Sequence, residues 1–286
     1  MSVAELKTLM SGLVVGESPR WHDGRLWFSN WGAQEIIALD TSGNSGVVAR
    51  VSTTVPFSID WLPDGRMLVV SGPEALLLVQ QPDGSLKTYA DLSGLARGWN
   101  EIVVDGRGNT YVNGSDYRFA PGEPFIAGVI ALVTPDGQVR QVAEDIHFPN
   151  VMVVTPDNRT LIVTESFRAR LTAFDIAADG SLSKRRVWAE LGNGVPDGIC
   201  IDADGAVWYA DVPNKRCVRV REGGDVLQTV NAGRGCFACM LGGAGRRTLF
   251  ILATEWRGME KAAEVALERT GQLLAIEAPL SGAGWP

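Results

Sequence analysis

One short signal recurs six times along the chain: an Asp-Gly turn, or a close variant, followed at once by an apolar run. It reads Asp23-Gly24 before Leu26-Trp27-Phe28, Pro63-Asp64-Gly65 before Met67-Leu68-Val69, and Asp105-Gly106-Arg107-Gly108 before Thr110-Tyr111-Val112. It returns as Pro156-Asp157-Asn158 before Leu161-Ile162-Val163, Asp204-Gly205 before Val207-Trp208-Tyr209, and Gly243-Ala244-Gly245 before Leu249-Phe250. Turns of this kind need φ > 0 at their centre, which Gly and Asn tolerate, so each one predicts a β-hairpin. Anchored on Gly24, Gly65, Gly108, Asn158, Gly205 and Gly245, the repeats step by 41, 43, 50, 47 and 40 residues. Periods of about 40–50 residues with several strands each describe propeller blades.

A second turn lies late in several repeats, at Pro82-Asp83-Gly84, Pro135-Asp136-Gly137 and Asp179-Gly180. Each repeat therefore has turns for four antiparallel strands. The expectation is an all-β chain: one six-bladed β-propeller domain over residues 1–286, with four-stranded blades. The segment ahead of Gly16 would supply the outer strand of the last blade, because ring closure there leaves no unpaired edge between the chain ends. An irregular β-sandwich is the competing architecture. Helical periodicity is confined to residues 259–269, where Ala262, Val265 and Leu267 predict one short amphipathic helix.

Acidic residues outnumber basic ones, 33 to 26, for a net charge of −7. Nucleic acid and anionic membrane surfaces are met by clustered Lys and Arg, so neither is an expected partner. Residues 1–16 carry one Lys and one brief apolar stretch, unlike a secretory signal, and no apolar run is long enough to span a bilayer. Four cysteines are too few for a disulfide framework in this length. These features predict a soluble, cytoplasmic protein.

In a closed propeller, equivalent positions of every blade meet around the axis. Counting back seven or eight residues from each anchor gives Glu17, Phe57/Ser58, Asn100, Asn150, Asp197 and Phe237/Ala238. Four of the six are carboxylate or carboxamide residues from separate blades, placed to converge at one mouth of the channel. Buried carboxylates that face each other repel unless a cation lies between them. Oxygen-only ligands suit a hard cation such as Ca²⁺, Mg²⁺ or Mn²⁺, with Zn²⁺ less typical. The alternative is that these are polar residues capping turns near strand starts.

Gly16-Glu17-Ser18-Pro19-Arg20-Trp21, Phe148-Pro149-Asn150 and Val195-Pro196-Asp197-Gly198 resemble the metal-site motifs of the senescence marker protein (regucalcin)/gluconolactonase family. Asn100 followed by Val103-Val104-Asp105 is similar to its substrate-side Asn-Asp motif. The likeness runs in order from Gly16 to about Ile276. It implies a six-bladed propeller with one divalent cation and lactone hydrolysis as the activity. Carried over by position, Glu17, Asn150 and Asp197 would ligate the metal, and Asn100 would face substrate or complete the coordination. Asp197 would be the general base, since the other candidates are carboxamides or lie farther away. Ca²⁺ is the first choice of cation, with Zn²⁺, Mn²⁺ or Mg²⁺ as alternatives. The implied partner is a small-molecule lactone or ester. The same chemistry could act on a phosphotriester, as in the diisopropyl fluorophosphatases, and a Ca²⁺- or small-ligand-binding propeller without turnover is the reading from a different class.

Three departures bear on specificity. Val151 stands where the family usually has Gly, Glu101 where it has Asp, and Gly98 where animal members have Arg, with Arg97 one place off. The third repeat also carries an aromatic loop, Asp116-Tyr117-Arg118-Phe119-Ala120-Pro121-Gly122-Glu123-Pro124-Phe125. Together they predict a side wall or lid favouring a less polar lactone; the alternative for the loop is an ordinary surface connection. His147, three residues before Asn150, is placed to reach the mouth as an acid or base, or else to be hydrogen-bonded within the rim. Cys236-Phe237-Ala238-Cys239 opens an inner strand rather than a helix, which favours packed thiols over a redox motif. No G-x-S-x-G elbow or phosphate loop is present.

Overall fold

Six antiparallel sheets follow one another in chain order, making a six-bladed β-propeller in a computed structural model that describes residues 5–53, 55–117 and 122–286. The innermost strands are Gly16–His22, Phe57–Trp61, Gly98–Val104, Pro149–Val154, Pro196–Asp202 and Gly235–Gly242. Each is followed outward by its hairpin partners, four strands to a blade. The turn chemistry works as the punctuation requires. At the first inner hairpin of blade three, Oδ1 of Asp105 accepts the amides of Arg107 (2.8 Å) and Asn109 (2.9 Å), and Gly108 takes φ +85° between them. Blade five repeats the device, with Asp202 Oδ1 accepting from Asp204 and Ala206.

Alternate residues of a strand face opposite sides of a sheet, so each inner strand feeds two clusters of apolar side chains. Ile102 and Val104 pack with Leu68 and Val70 of blade two, whereas Val103 packs with Met152 and Leu161 of blade four. The core is thus divided among the interfaces between blades instead of forming one centre. Ile59, Ile102 and Met152 are fully buried, and truncating such a side chain to Ala costs about 2–5 kcal/mol. Outer strands are solvated; Ser45–Arg50 is exposed at nearly every residue.

Blade six is completed by the N-terminal strand Lys7–Leu13, paired antiparallel with Gly271–Glu277. A second terminal contact lies at the far end of the channel. Gly282–Ala283 pairs with Ile201 and Asp202 at the end of the innermost strand of blade five. Trp285 then exchanges two backbone hydrogen bonds of 2.8 Å with Val154 of blade four. The helical segment is shorter than the pattern predicts: a 3₁₀ turn at Met259–Lys261 and one α-turn at Ala262–Val265. Only Val265 finds a core; Leu267 is 82% exposed, so no apolar partner extends the helix. Among the described residues no helix is long and apolar enough to cross a membrane.

Candidate metal centre at the channel mouth

The innermost strands do not pair evenly with their neighbours. In blades one, three, four and five the register slips just after the strand begins, and two residues oppose one. The residues caught in these bulges are Ser18-Pro19, Asn100-Glu101, Asn150-Val151 and Asp197-Gly198. A bulge bends its strand and re-aims side chains out of the regular alternation, which lets consecutive residues turn toward the axis. Glu17 differs from the other three candidates: it pairs with Ser29 one step ahead of its bulge. Blade two pairs without any slip, and blade six slips by a single residue at Phe237.

Two of the candidate residues are hydrogen-bonded to each other: Asn100 donates from Nδ2 to Oδ1 of Asn150 at 3.2 Å. The Asn150 carboxamide acts in turn on the Asp197 carboxylate, favouring its charged form. Asn113, on the second strand of blade three, donates to the backbone oxygen of Asn150. Glu17 is buried, and its carboxyl is pushed well above the usual range, first by burial and then by the charges of Asp197 and Glu101. Asp197 is raised by burial and by Glu101, with the neighbouring Asn150 carboxamide opposing.

Glu101, Arg20 and Asp60 belong to this centre as well, and the positional count did not single them out. Arg20, fully buried, donates from Nη2 to Oε2 of Glu101 at 2.9 Å, and its Nε lies 3.7 Å from Oδ2 of Asp60. Asp60 also accepts the amides of Val104 and Trp61, and burial raises its carboxyl to about 6 despite Arg20. Nothing in the local pattern marks them: a charged residue inside a strand is buried only where partners meet it, and here those partners come from other blades.

Several oxygens at the mouth lack a donor. Glu101 Oε1, Asp197 Oδ1 and Asn113 Oδ1 are buried with no hydrogen-bond partner. A carboxylate oxygen only accepts, so the missing partner must be a donor or a cation, and an oxygen-rich set of this kind fits a hard divalent ion. Among the described residues no three His, Cys, Asp or Glu side chains are arranged to hold a metal. The fit therefore depends on the carboxamide oxygens of Asn100 and Asn150 beside Glu17 and Asp197.

One side of the mouth is aromatic. Phe125 packs on Tyr117 (5.4 Å between ring centroids), on Phe167 (5.5 Å) and on the His147 ring (5.0 Å), while Phe148 stacks on Phe167 at 4.7 Å. Residues 118–121 of the loop fall outside the described residues. His147 is engaged within this wall: its Nε2 lies 2.8 Å from Nη2 of Arg168 and 3.3 Å from Oδ1 of Asp145. The Arg97 side chain is 75% exposed beside Asp116. All four cysteines are free and buried, and Cys236 and Cys239 lie on the innermost strand of blade six.

Residues 15–255 match the sequence model described as the SMP-30/Gluconolactonase/LRE-like region. Regucalcin of Xenopus laevis is 27% identical over 225 residues, 76% of this chain and 75% of that protein. The diisopropyl-fluorophosphatase of Loligo vulgaris is 27% identical over 201 residues, 63% of each chain. Among solved structures, a luciferin-regenerating enzyme superposes with a TM-score of 0.84 at 18% identity, covering 99% of this chain and 98% of its own. A gluconolactonase of Xanthomonas campestris gives 0.78 at 20% identity, covering 96% and 90%. At such identities the structural likeness concerns the fold, and the family follows from the sequence match, which spans most of the chain. The chain belongs to the SMP-30/gluconolactonase/LRE-like family.

Proposed function

We propose that this protein is a divalent-cation-dependent hydrolase of lactones that favours less polar substrates over sugar lactones. The observation that carries the proposal is the meeting of Asn100, Asn150 and Asp197, with a buried, unpartnered carboxylate oxygen on Asp197 and Glu17 close enough for the Asp197 charge to raise its carboxyl. Glu17, Asn150 and Asp197 would hold the cation, Ca²⁺ by the chemistry of the donors, with Zn²⁺, Mn²⁺ or Mg²⁺ as alternatives. When bound, the cation supplies polarisation of the lactone carbonyl and stabilises the negative charge that develops on its oxygen.

The protein's own groups do the rest. Asp197 accepts a proton from the attacking water through the carboxylate oxygen that does not hold the cation. As the ring C–O bond breaks, that proton passes to the departing alkoxide and leaves a hydroxy acid. Asn100 spends one amide hydrogen on Asn150 and has the second to hold a substrate oxygen. The wall of Tyr117, Phe125, Phe148 and Phe167 offers apolar surface to the non-reacting part of the substrate. The similarity to a diisopropyl-fluorophosphatase favours phosphotriesters as a second substrate class.

The deciding experiment is turnover of a panel holding gluconolactone, alkyl- and aryl-substituted lactones and a fluorophosphate. Each is assayed with EDTA and with Ca²⁺, Mn²⁺, Mg²⁺ or Zn²⁺ restored. Cation-dependent opening of the substituted lactones is expected. Cation binding with no turnover of any substrate would make the protein a binding propeller instead.

A further inference from the structure

We infer that Arg20 is a positioning residue of the candidate cation site, joining the bulge after Glu17 to the bulge that carries Asn100 and Glu101. The inference rests on the cation site proposed above and adds a residue that the site's donor set does not contain.

Arg20 makes its hydrogen bonds through both terminal nitrogens, while Nε has no hydrogen-bond partner and lies in ion-pair range of Asp60. Nη1 donates to the carbonyl of Pro19 at 3.0 Å, inside the bulge that directly follows Glu17. Nη2 donates to Oε2 of Glu101 at 2.9 Å and to the carbonyl of Ile102 at 2.6 Å, at the exit of the blade-three bulge. Nε faces Asp60 of blade two. One planar, permanently charged fork thus touches the innermost strands of three blades, an arrangement that lysine, with its single ammonium, cannot copy.

The consequence for Glu101 is directional. Oε2 is taken by Arg20 and by the Ile102 amide at 3.2 Å, whereas Oε1 has no partner. The charge of Glu101 acts on both Glu17 and Asp197. Held this way, Glu101 adds a third negative charge to the mouth and strengthens cation binding from outside the donor set. Arg20 is shared with Asp60, so it does not cancel the charge that a divalent ion would meet. Without Arg20, two buried carboxylates lose their counter-charge, and the spacing of the two bulges loses its tie.

The test measures the Ca²⁺ dissociation constant by competition with a chromophoric chelator, beside thermal melting in EDTA. The proteins are wild type, Arg20→Met, Arg20→Lys, Glu101→Gln and the double variant Arg20→Met/Glu101→Gln. Each single variant should weaken Ca²⁺ binding about tenfold or more, a loss of about 1.4 kcal/mol. Because the two residues act as a unit, the double variant should be no weaker than the worse single one. Arg20→Lys should fold, so it carries the comparison if Arg20→Met does not. Lowered melting temperatures with dissociation constants within about twofold of wild type would overturn the inference, since Arg20 would then be structural only. Additive losses would overturn the link through Glu101. A wild-type protein that binds no divalent cation would overturn the site and the inference together, whereas tight binding without lactone turnover would sink only the catalytic reading.

Discussion

Asn100 and Asn150, fifty positions apart on adjoining blades, meet through a hydrogen bond of 3.2 Å from Nδ2 of the first to Oδ1 of the second. The contact orients the Asn150 carboxamide, which also favours the charged form of Asp197. Under the proposed function labour divides among similar side chains: Asn150 would be a ligand only, whereas Asp197 would be both ligand and base.

That division predicts different outcomes for two substitutions of Asp197. Asp197→Ala, like Glu17→Ala, removes a charged oxygen donor, so cation affinity and lactone turnover should collapse together while the β-rich circular dichroism spectrum persists. Asp197→Asn keeps an oxygen and the shape but loses the basic site. It should retain measurable Ca²⁺ binding with turnover reduced by about 10²-fold or more, the scale of a lost general base. Near-normal turnover by Ca²⁺-loaded Asp197→Asn would take Asp197 out of the catalytic role.

Acidity gives a second prediction, for the protein in EDTA. Asp60 carries a folded-state carboxyl raised to about 6 from 3.8 by burial, and Glu17 and Asp197 are raised in the same direction. For an acid with a raised folded value, the stabilising contribution is complete below the unfolded value and is lost as pH rises through the folded one. Stability contributed by Asp60 should therefore fall between about pH 4 and neutrality, and that of Glu17 and Asp197 should fall in the same sense as pH rises. The lowered carboxyls of the hairpin turns, such as Asp64 and Asp83, act in the opposite window and lose their contribution as pH falls below their ordinary range. Melting temperatures in EDTA at about pH 5 and about pH 7.5 should drop less for Asp60→Asn than for wild type. Equal drops would show that Asp60 does not titrate in this range.

The aromatic wall separates binding of the substrate's remote part from the chemistry. Phe167 is 51% exposed and stacks on Phe148, so Phe167→Ala removes little core and should lower stability by no more than about 1 kcal/mol. KM for an aryl- or alkyl-substituted lactone should rise about tenfold, the effect of losing apolar contact in a pocket. KM for gluconolactone should stay nearly constant. A similar rise for both substrates would mean that the wall does not select.

The parts of this architecture that could be read from sequence are those set by local chemistry. Asp-Gly turns announce hairpins because few residues accept φ > 0, and their spacing gives six blades before any tertiary contact is known. The candidate residues at the mouth could be reached by counting because they occupy corresponding places in their blades. The same count could not show that Glu17 stands one residue ahead of the bulge while Asn100, Asn150 and Asp197 lie inside theirs. Bulges are set by pairing between strands and leave no pattern of their own in the strand that contains them. Arg20 and Asp60 were hidden for a different reason. A charged residue in a strand normally reads as a solvent-facing position, and only the meeting of three blades provides partners that let these two be buried. The pairing of Gly282–Ala283 beneath the channel was equally silent, since a short Gly-rich segment has no apolar period to announce a strand.

That terminal segment supports the final prediction. Gly284 has φ +66°, and a Cβ placed there would lie 2.4 Å from the carbonyl oxygen of Val154. Any side chain would break the close approach that allows Trp285 and Val154 to exchange their two backbone bonds. Gly284→Val should displace the segment and expose the ends of the innermost strands of blades four and five, where Ile201 and Asp202 pair with it. The expected cost is about 1–3 kcal/mol, read as a melting temperature lower by several degrees. Amide exchange should accelerate at Val154, which loses its hydrogen-bond acceptor, more than at Met152, which pairs within its own blade. Because the segment lies at the end of the channel opposite Glu17 and Asp197, Ca²⁺ affinity should remain at the wild-type value. A fall in affinity alongside the melting temperature would show that the two ends of the channel are coupled through the innermost strands, so that the tail and the mouth could no longer be treated as independent parts of the fold.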